Sequence, residues 1–303
     1  MTNKKISNML QTGFIRRYTL TDGKENGLKV IEMDNGILRV LLNESKALDV
    51  MQVFYEGKNM SFVSKNGFQA RELPFLKRFE GGMVYTCGLD SVGDRDGFEA
   101  HGSFHSTPAR VVEILQNDNT LLVKAITETT SLCGENLCFV RTVTLNAGES
   151  KLNINDKLIN KGTKKEDFCL LYHINVGYPM LDEGVEIQGD FSQVIPRTEY
   201  SSTKMVNRAV FEAPVDNADE SCFFIKNNGN YVCATNKKLG TRFIVTYSKE
   251  TLPCFVQWNN PVTQAYALGL EPATTFLDDK FEYTQIDKDE EIDFFIQLSF
   301  EKI

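Results

Sequence analysis

Short runs of alternating apolar and polar residues follow one another along the chain, separated by turn signals. "DNG" stands between "LKVIEM" and "ILRVLL", "YEGKN" between "VMQVF" and "MSFVS", and "QNDN" between "RVVEIL" and "TLLVKAI". "NAGES" separates "CFVRTVTL" from "KLNIND", and "KNNGN" separates "SCFFI" from "YVCAT". Asn, Asp and Gly accept the left-handed backbone of tight hairpin turns, so each break predicts a hairpin. No amphipathic stretch of several helical turns interrupts the series. The pattern predicts an all-β, antiparallel fold. No fixed period repeats, and no Pro/Ser-rich linker divides the chain, so residues 1–303 are expected to form one domain.

Two runs place polar groups where a strand would otherwise pack. In "LLYHINVGYP", the even positions Leu170, Tyr172, Ile174, Val176 and Tyr178 are bulky. His173, Asn175, Gly177 and Pro179 fall on the other face, because strand side chains alternate. His173 and Asn175 are then roughly 7 Å apart on a face too polar and too small to fill a core. In "AYALGLEP", Tyr266, Leu268, Leu270 and Pro272 pack, while Ala265, Ala267, Gly269 and Glu271 share the opposite face. Three small residues there leave a hollow beside a carboxylate.

One region departs from the alternation. Six glycines lie between Gly81 and Gly102, with Asp90, Asp94, Arg95, Asp96 and Glu99 among them. Such a stretch reads as a long surface loop, and long loops on a rigid scaffold often build sites. It contains no phosphate-binding GxxxxGK[ST] pattern.

Composition narrows the class. A chain of 303 residues with 42% hydrophobic and 11% aromatic residues fits a large core and not disorder. The formal net charge of −8 argues against a broad nucleic-acid or anionic-membrane surface. The seven cysteines form no CxxC, which reads as buried free thiols in a reducing compartment. No apolar leader and no run of about 18 apolar residues stands out, so a soluble cytoplasmic protein is expected.

The candidate chemistry is proton transfer. The chain has three histidines, His101, His105 and His173. A histidine and a glutamate facing one polar hollow supply a group that exchanges protons near neutrality and a carboxylate base. No GxSxG elbow occurs, and no cysteine stands beside a histidine, so covalent catalysis has no visible nucleophile.

Taken together, "GGMVYTCGLD", "HGSFHSTPA", "LLYHINVGYP" and "ALGLEPATT" resemble the galactose mutarotase-like superfamily, and within it an aldose 1-epimerase-related branch of bacterial proteins. The resemblance runs from about Asn35 to Glu290. It implies an antiparallel β-supersandwich with a sugar cleft across a concave sheet, and interconversion of the α and β anomers of a monosaccharide or sugar derivative. It also implies roles: His173 as general acid, Glu271 as general base, and His101 and Arg78 as sugar contacts, with no metal or organic cofactor. Asn175 is expected to bond a hydroxyl or orient His173, and Trp258, the only tryptophan, either to stack on the ring or to pack as a core aromatic. The ring is expected to sit between His173 and Glu271. Asp90 is a further candidate contact, although a charge on a surface loop is the plainer reading. Lys46 stands where the branch usually has an arginine.

Two other readings fit the same residues. One is a carbohydrate-binding protein on this scaffold without catalysis. The other is a cupin-like metalloenzyme using His101, His105, His173 and Glu271, although HxxxH suits a helix that the glycines and Pro108 disfavour.

Overall fold

Two antiparallel sheets use up nearly all of these runs. The computed structural model describes residues 5–303. The N-terminal sheet holds, in spatial order, Phe14–Thr19, Lys29–Asp34, Leu38–Asn43, Asp49–Tyr55 and Lys58–Asn59. The thirteen-stranded second sheet begins with Thr284–Ile286, Glu166–Val176, Ala267–Ala273, Cys254–Asn260 and Ser221–Asn236. It continues through Thr241–Tyr247, Glu291–Lys302, Lys151–Asn160, Asn136–Asn146, Thr120–Thr130 and Arg110–Gln116. Val84–Leu89 also pairs with Glu166–Val176, and Glu186–Pro196 with Ser221–Asn236. The helices Phe75–Arg78 and Glu199–Thr203 are a turn or so each.

Four of the five turn signals close hairpins. The fifth does not. "KNNGN" lies inside one extended strand, Ser221–Asn236. No residue from 226 to 230 takes the left-handed backbone a tight hairpin needs. The chain instead stays extended and changes partners. Residues 221–225 pair with Cys254–Asn260, and residues 231–236 with Thr241–Tyr247. At the changeover, Asn227 Nδ2 donates to the Tyr231 carbonyl and the Tyr247 hydroxyl. The strand alongside carries its register shifts at Gly189–Gln193, which absorb the bend.

The glycine-rich region is also only partly a loop. Val84–Leu89 is a fully buried strand against Glu166–Val176. The loop proper begins at Asp90. That carboxylate accepts the Ser91 and Ser103 N–H groups and the Ser103 hydroxyl, which pins both ends of the loop.

Glu166–Val176 is covered on both faces, which explains its nearly unbroken apolar sequence. Leu170, Tyr172, Ile174 and Val176 enter the main core between the sheets. Cys169 and Leu171 join a smaller cluster on the far side with Tyr85, Cys87, Phe224 and Val256. Tyr178 lies past the strand end and is 72% exposed, so it does not pack as the alternation suggested. All seven cysteines are free, and five are buried. Among the described residues, no helix is long and apolar enough to cross a membrane.

The main core also holds a chain of charges. Arg141 donates to Asp156 at 2.7 Å and to Asp49, and Asp156 accepts the Tyr172 hydroxyl at 2.7 Å. Asp49 meets His105 Nδ1 at 2.6 Å, and His105 Nε2 lies 3.5 Å from Glu80, which pairs with Lys46 at 2.9 Å. Each of these side chains is almost fully buried. With His105 protonated, three positive and three negative groups balance. Its hydrogen bond to Asp49 and the nearby Glu80 carboxylate overcome the cost of burial and raise its pKa, as that balance requires. Lys46 therefore belongs to the core, paired with Glu80.

Candidate active site

The strand register brings His173 and Glu271 together. Leu171 pairs with Ala273 and Ile174 with Leu270, which sets His173 level with Glu271 on the adjacent strand. Level residues on one face are neighbours. His173 Nε2 lies 3.3 Å from Glu271 Oε1, and both side chains are buried. Gly269 makes the arrangement possible. A Cβ there would fall 2.2 Å from Glu271 Oε1 and 3.0 Å from Trp258 Cβ. The missing side chain is the space into which the carboxylate folds.

These two groups border a cavity of about 840 Å³, shared with His101 and Trp258. That volume is in the range of small-molecule sites. At 3.3 Å nothing fits between the two groups, so the open volume lies beside the pair and not between its members. His101 arrives from the loop, in the left-handed conformation (φ 62°) that histidine tolerates better than most residues. Its N–H bonds Gly93 and its carbonyl accepts from Gly88. Its ring lies 5.5 Å from that of His173 and 4.9 Å from Phe75. Trp258 and Phe79 complete the enclosure of His173, edge-on at 5.3 Å and tilted at 5.5 Å.

Burial sets the protonation states. It pushes the Glu271 carboxyl well above the ordinary range, with Glu220 adding to the effect and Arg197 opposing it. It pushes His173 well below the usual imidazole value, helped by His101 and opposed by Asn175. His101 falls to about 4 through burial and then Arg197. Burial thus favours a protonated carboxyl beside neutral imidazoles. Among the described residues, Glu271 Oε1 and the Nδ1 atoms of His101 and His173 have no hydrogen-bond partner. Buried polar atoms without partners are costly, and the three residues that carry these border the cavity.

Other candidates fall elsewhere. Asn175 is fully buried and does not border the cavity; its Nδ2 donates to the His173 carbonyl at 2.9 Å. Phe62, whose N–H bonds the Asn175 carbonyl, belongs to a segment crossing that end of the strand. Arg78 is buried behind the wall, bonded to Ser106, Glu99 and Glu72. Its neighbours Lys77 and Phe79 face the cavity instead. His105 lies in the core and stacks on Tyr85 at 3.7 Å, so it and His101 serve different places. The metal arrangement that joins them is not formed. Among the described residues, no three or more His, Cys, Asp or Glu groups are set to hold an ion.

Glu220 and Arg197 border the cavity but carry no strand-periodic signal. Glu220 sits just before Ser221–Asn236, and Arg197 just after Glu186–Pro196. Neither could be placed before the pairing was known. The apolar wall formed by Phe75 and Phe79 comes from the short helix and the residue that ends it, equally unreadable as a site.

A family model described as a domain of unknown function (DUF4432) matches residues 25–286. A search of curated proteins finds no match. Among solved structures, a "putative aldose 1-epimerase" from Klebsiella pneumoniae is similar, with a TM-score of 0.85 at 21% identity, over 94% of this chain and 83% of that one. A galactose mutarotase-like protein from Clostridium acetobutylicum gives 0.74 at 14% identity, over 97% of this chain and all of that one. A "putative mutarotase (YeaD)" from Salmonella typhimurium gives 0.68 at 12%, over 95% and 94%. At these identities the likeness shows the fold, an antiparallel galactose mutarotase-like sandwich.

Proposed function

We propose that this chain, which belongs to the DUF4432 family, interconverts the α and β anomers of an aldose or aldose derivative by acid–base ring opening and reclosure. The observation that carries this reading is the buried His173–Glu271 contact at 3.3 Å on a cavity of about 840 Å³, ample for a monosaccharide. The names of the similar structures point the same way.

The two oxygens that trade protons in this reaction are bonded to one carbon of the sugar. A touching acid and base therefore reach both from one side, with the ring docked over the pair. Glu271 takes the proton of the anomeric hydroxyl while His173 gives one to the ring oxygen. The ring opens to an aldehyde, the bond beside it rotates, and the roles reverse on closure. Opening starts from Glu271 ionised and His173 protonated, and ends with Glu271 protonated and His173 neutral. That end state is the one burial favours. The site thus holds the open-chain form with its protons already placed for closure. His101 and Trp258 supply a hydrogen-bonding edge and a ring face to the sugar. A binding protein without catalysis would need neither half of the pair.

Polarimetry and NMR saturation exchange on freshly dissolved α-aldoses test this directly. A panel of hexoses, pentoses, deoxysugars and their phosphates should contain at least one sugar whose anomers equilibrate faster with the protein than without. No acceleration across the panel ends the epimerase reading.

Two further expectations follow from the geometry. The pair is active while it holds one proton. His173 is shifted down and Glu271 up, so the window between gaining a second proton and losing the last is broad. kcat/KM against pH should show a wide plateau across neutrality, falling on the acid side as the second proton binds and on the alkaline side as the last leaves. A narrow bell centred near pH 5 would contradict this. Gly269→Ala should displace the Glu271 carboxylate and slow exchange on the order of 10²-fold, the scale of an ångström-level misplacement. Its circular dichroism should stay native, because Gly269 has an ordinary backbone conformation.

A further inference from the structure

We propose that Glu220 is a positioning residue that fixes the Trp258 indole against His173 and so holds the wall of the cavity in its working shape. Trp258 Nε1 donates to Glu220 Oε2 at 2.8 Å, and both side chains border the cavity. The inference extends the acid–base reading above and rests on it for its kinetic arm only.

The geometry argues that this contact is needed. Trp258 pairs across the sheet with Cys222 on one side and Gly269 on the other. Neither neighbour is large, and Gly269 offers the indole nothing to lean on. The void over Gly269 is also where the Glu271 carboxylate lies, with Oε1 2.2 Å from the position of an added Cβ. With that space filled, an unheld indole has room only on its cavity side, where it can swing away from His173. The hydrogen bond to Glu220 removes that freedom. It comes from the residue just ahead of the partner strand, one step beyond the Ser221–Asn259 pair.

Glu220 also bears charge. The titratable and charged groups around Glu271 are His173 on the neighbouring strand, Glu220 and Arg197 at the wall, and the Cys87 and Cys222 thiols. Burial and Glu220 both favour the protonated carboxyl, while Arg197 opposes them. Losing the Glu220 charge therefore lowers the pH at which the pair gives up its last proton.

The test uses the full chain and its single tryptophan. In Glu220→Ala the indole loses its acceptor. Its emission should shift, acrylamide quenching should rise at least twofold, and kcat/KM should fall about tenfold. In Glu220→Gln an amide oxygen still accepts the indole N–H. Emission and quenching should stay near wild type, while the alkaline limb of kcat/KM moves to lower pH. Unchanged emission and quenching in Glu220→Ala overturns the proposal. So does an altered indole with wild-type kcat/KM and an unmoved limb, which leaves Glu220 as wall structure only. If the wild type turns over no aldose, the function reading fails, and the fluorescence arm alone still decides whether Glu220 positions Trp258.

Discussion

Replacing His173 or Glu271 by alanine is expected to slow anomer interconversion roughly 10²–10⁴-fold, the usual worth of a positioned acid or base. Both variants should remain folded. His173 and Glu271 sit at the edge of the smaller apolar cluster, where the cavity already interrupts the packing. Glu271→Gln is the sharper version. It keeps size and polarity but cannot take a proton, so its loss should match that of Glu271→Ala. The double variant should cost little more than either single one, because each half of the pair is idle without the other. Saturation-exchange rates on the preferred sugar, with thermal melts as the folding control, decide the matter. A folded variant that retains the wild-type rate removes the acid–base assignment.

Arg141→Met should destabilise the fold by about 3–5 kcal/mol, the scale for breaking a buried ion network by removing one member. Arg141 bridges Asp49 and Asp156 and also donates to the Ala47 carbonyl and the Thr86 hydroxyl. Without it, two buried carboxylates lose their shared cation. For a chain of this size the melting temperature should drop by roughly 5–8 °C, at about 1.6 °C per kcal/mol from an unfolding entropy of about 2.1 cal/mol/K per residue. Arg141→Met combined with Asp156→Leu should recover part of the loss, since the cost comes from orphaned charge and not from lost attraction. Melting curves of the single and double variants check both statements. A melt within 1–2 °C of wild type for Arg141→Met, about the effect of an exposed pair, would show that these charges are hydrated.

Why some features were readable and others were not follows from the range of the interactions that fix them. Hairpins depend on residues a few positions apart, so "DNG" and "NAGES" announced theirs directly. "KNNGN" has the same composition, but its fate depends on two strands elsewhere in the chain, and the extended state won. His173 and Glu271 were visible because alternation is local: a polar group on a face of glycine and alanine stands out. Their distance was not visible, since it comes from a register between segments about a hundred residues apart. Arg78 and Lys46 show the limit from the other side. Either cation could face a ligand or a carboxylate of its own chain, and only the fold shows that Glu99 claims Arg78 and Glu80 claims Lys46. Glu220 and Arg197 lie at strand ends, where no alternation marks a face.

The contact between His173 and Glu271 has a consequence for the economy of the proposed cycle. What the carboxylate collects from the anomeric oxygen on opening it returns to that oxygen on closure, and the imidazole recovers from the ring oxygen what it gave. The pair therefore ends each turnover carrying the hydrogen it began with. Such a circuit is closed: it draws nothing from buffer, discharges nothing to it, and serves both directions.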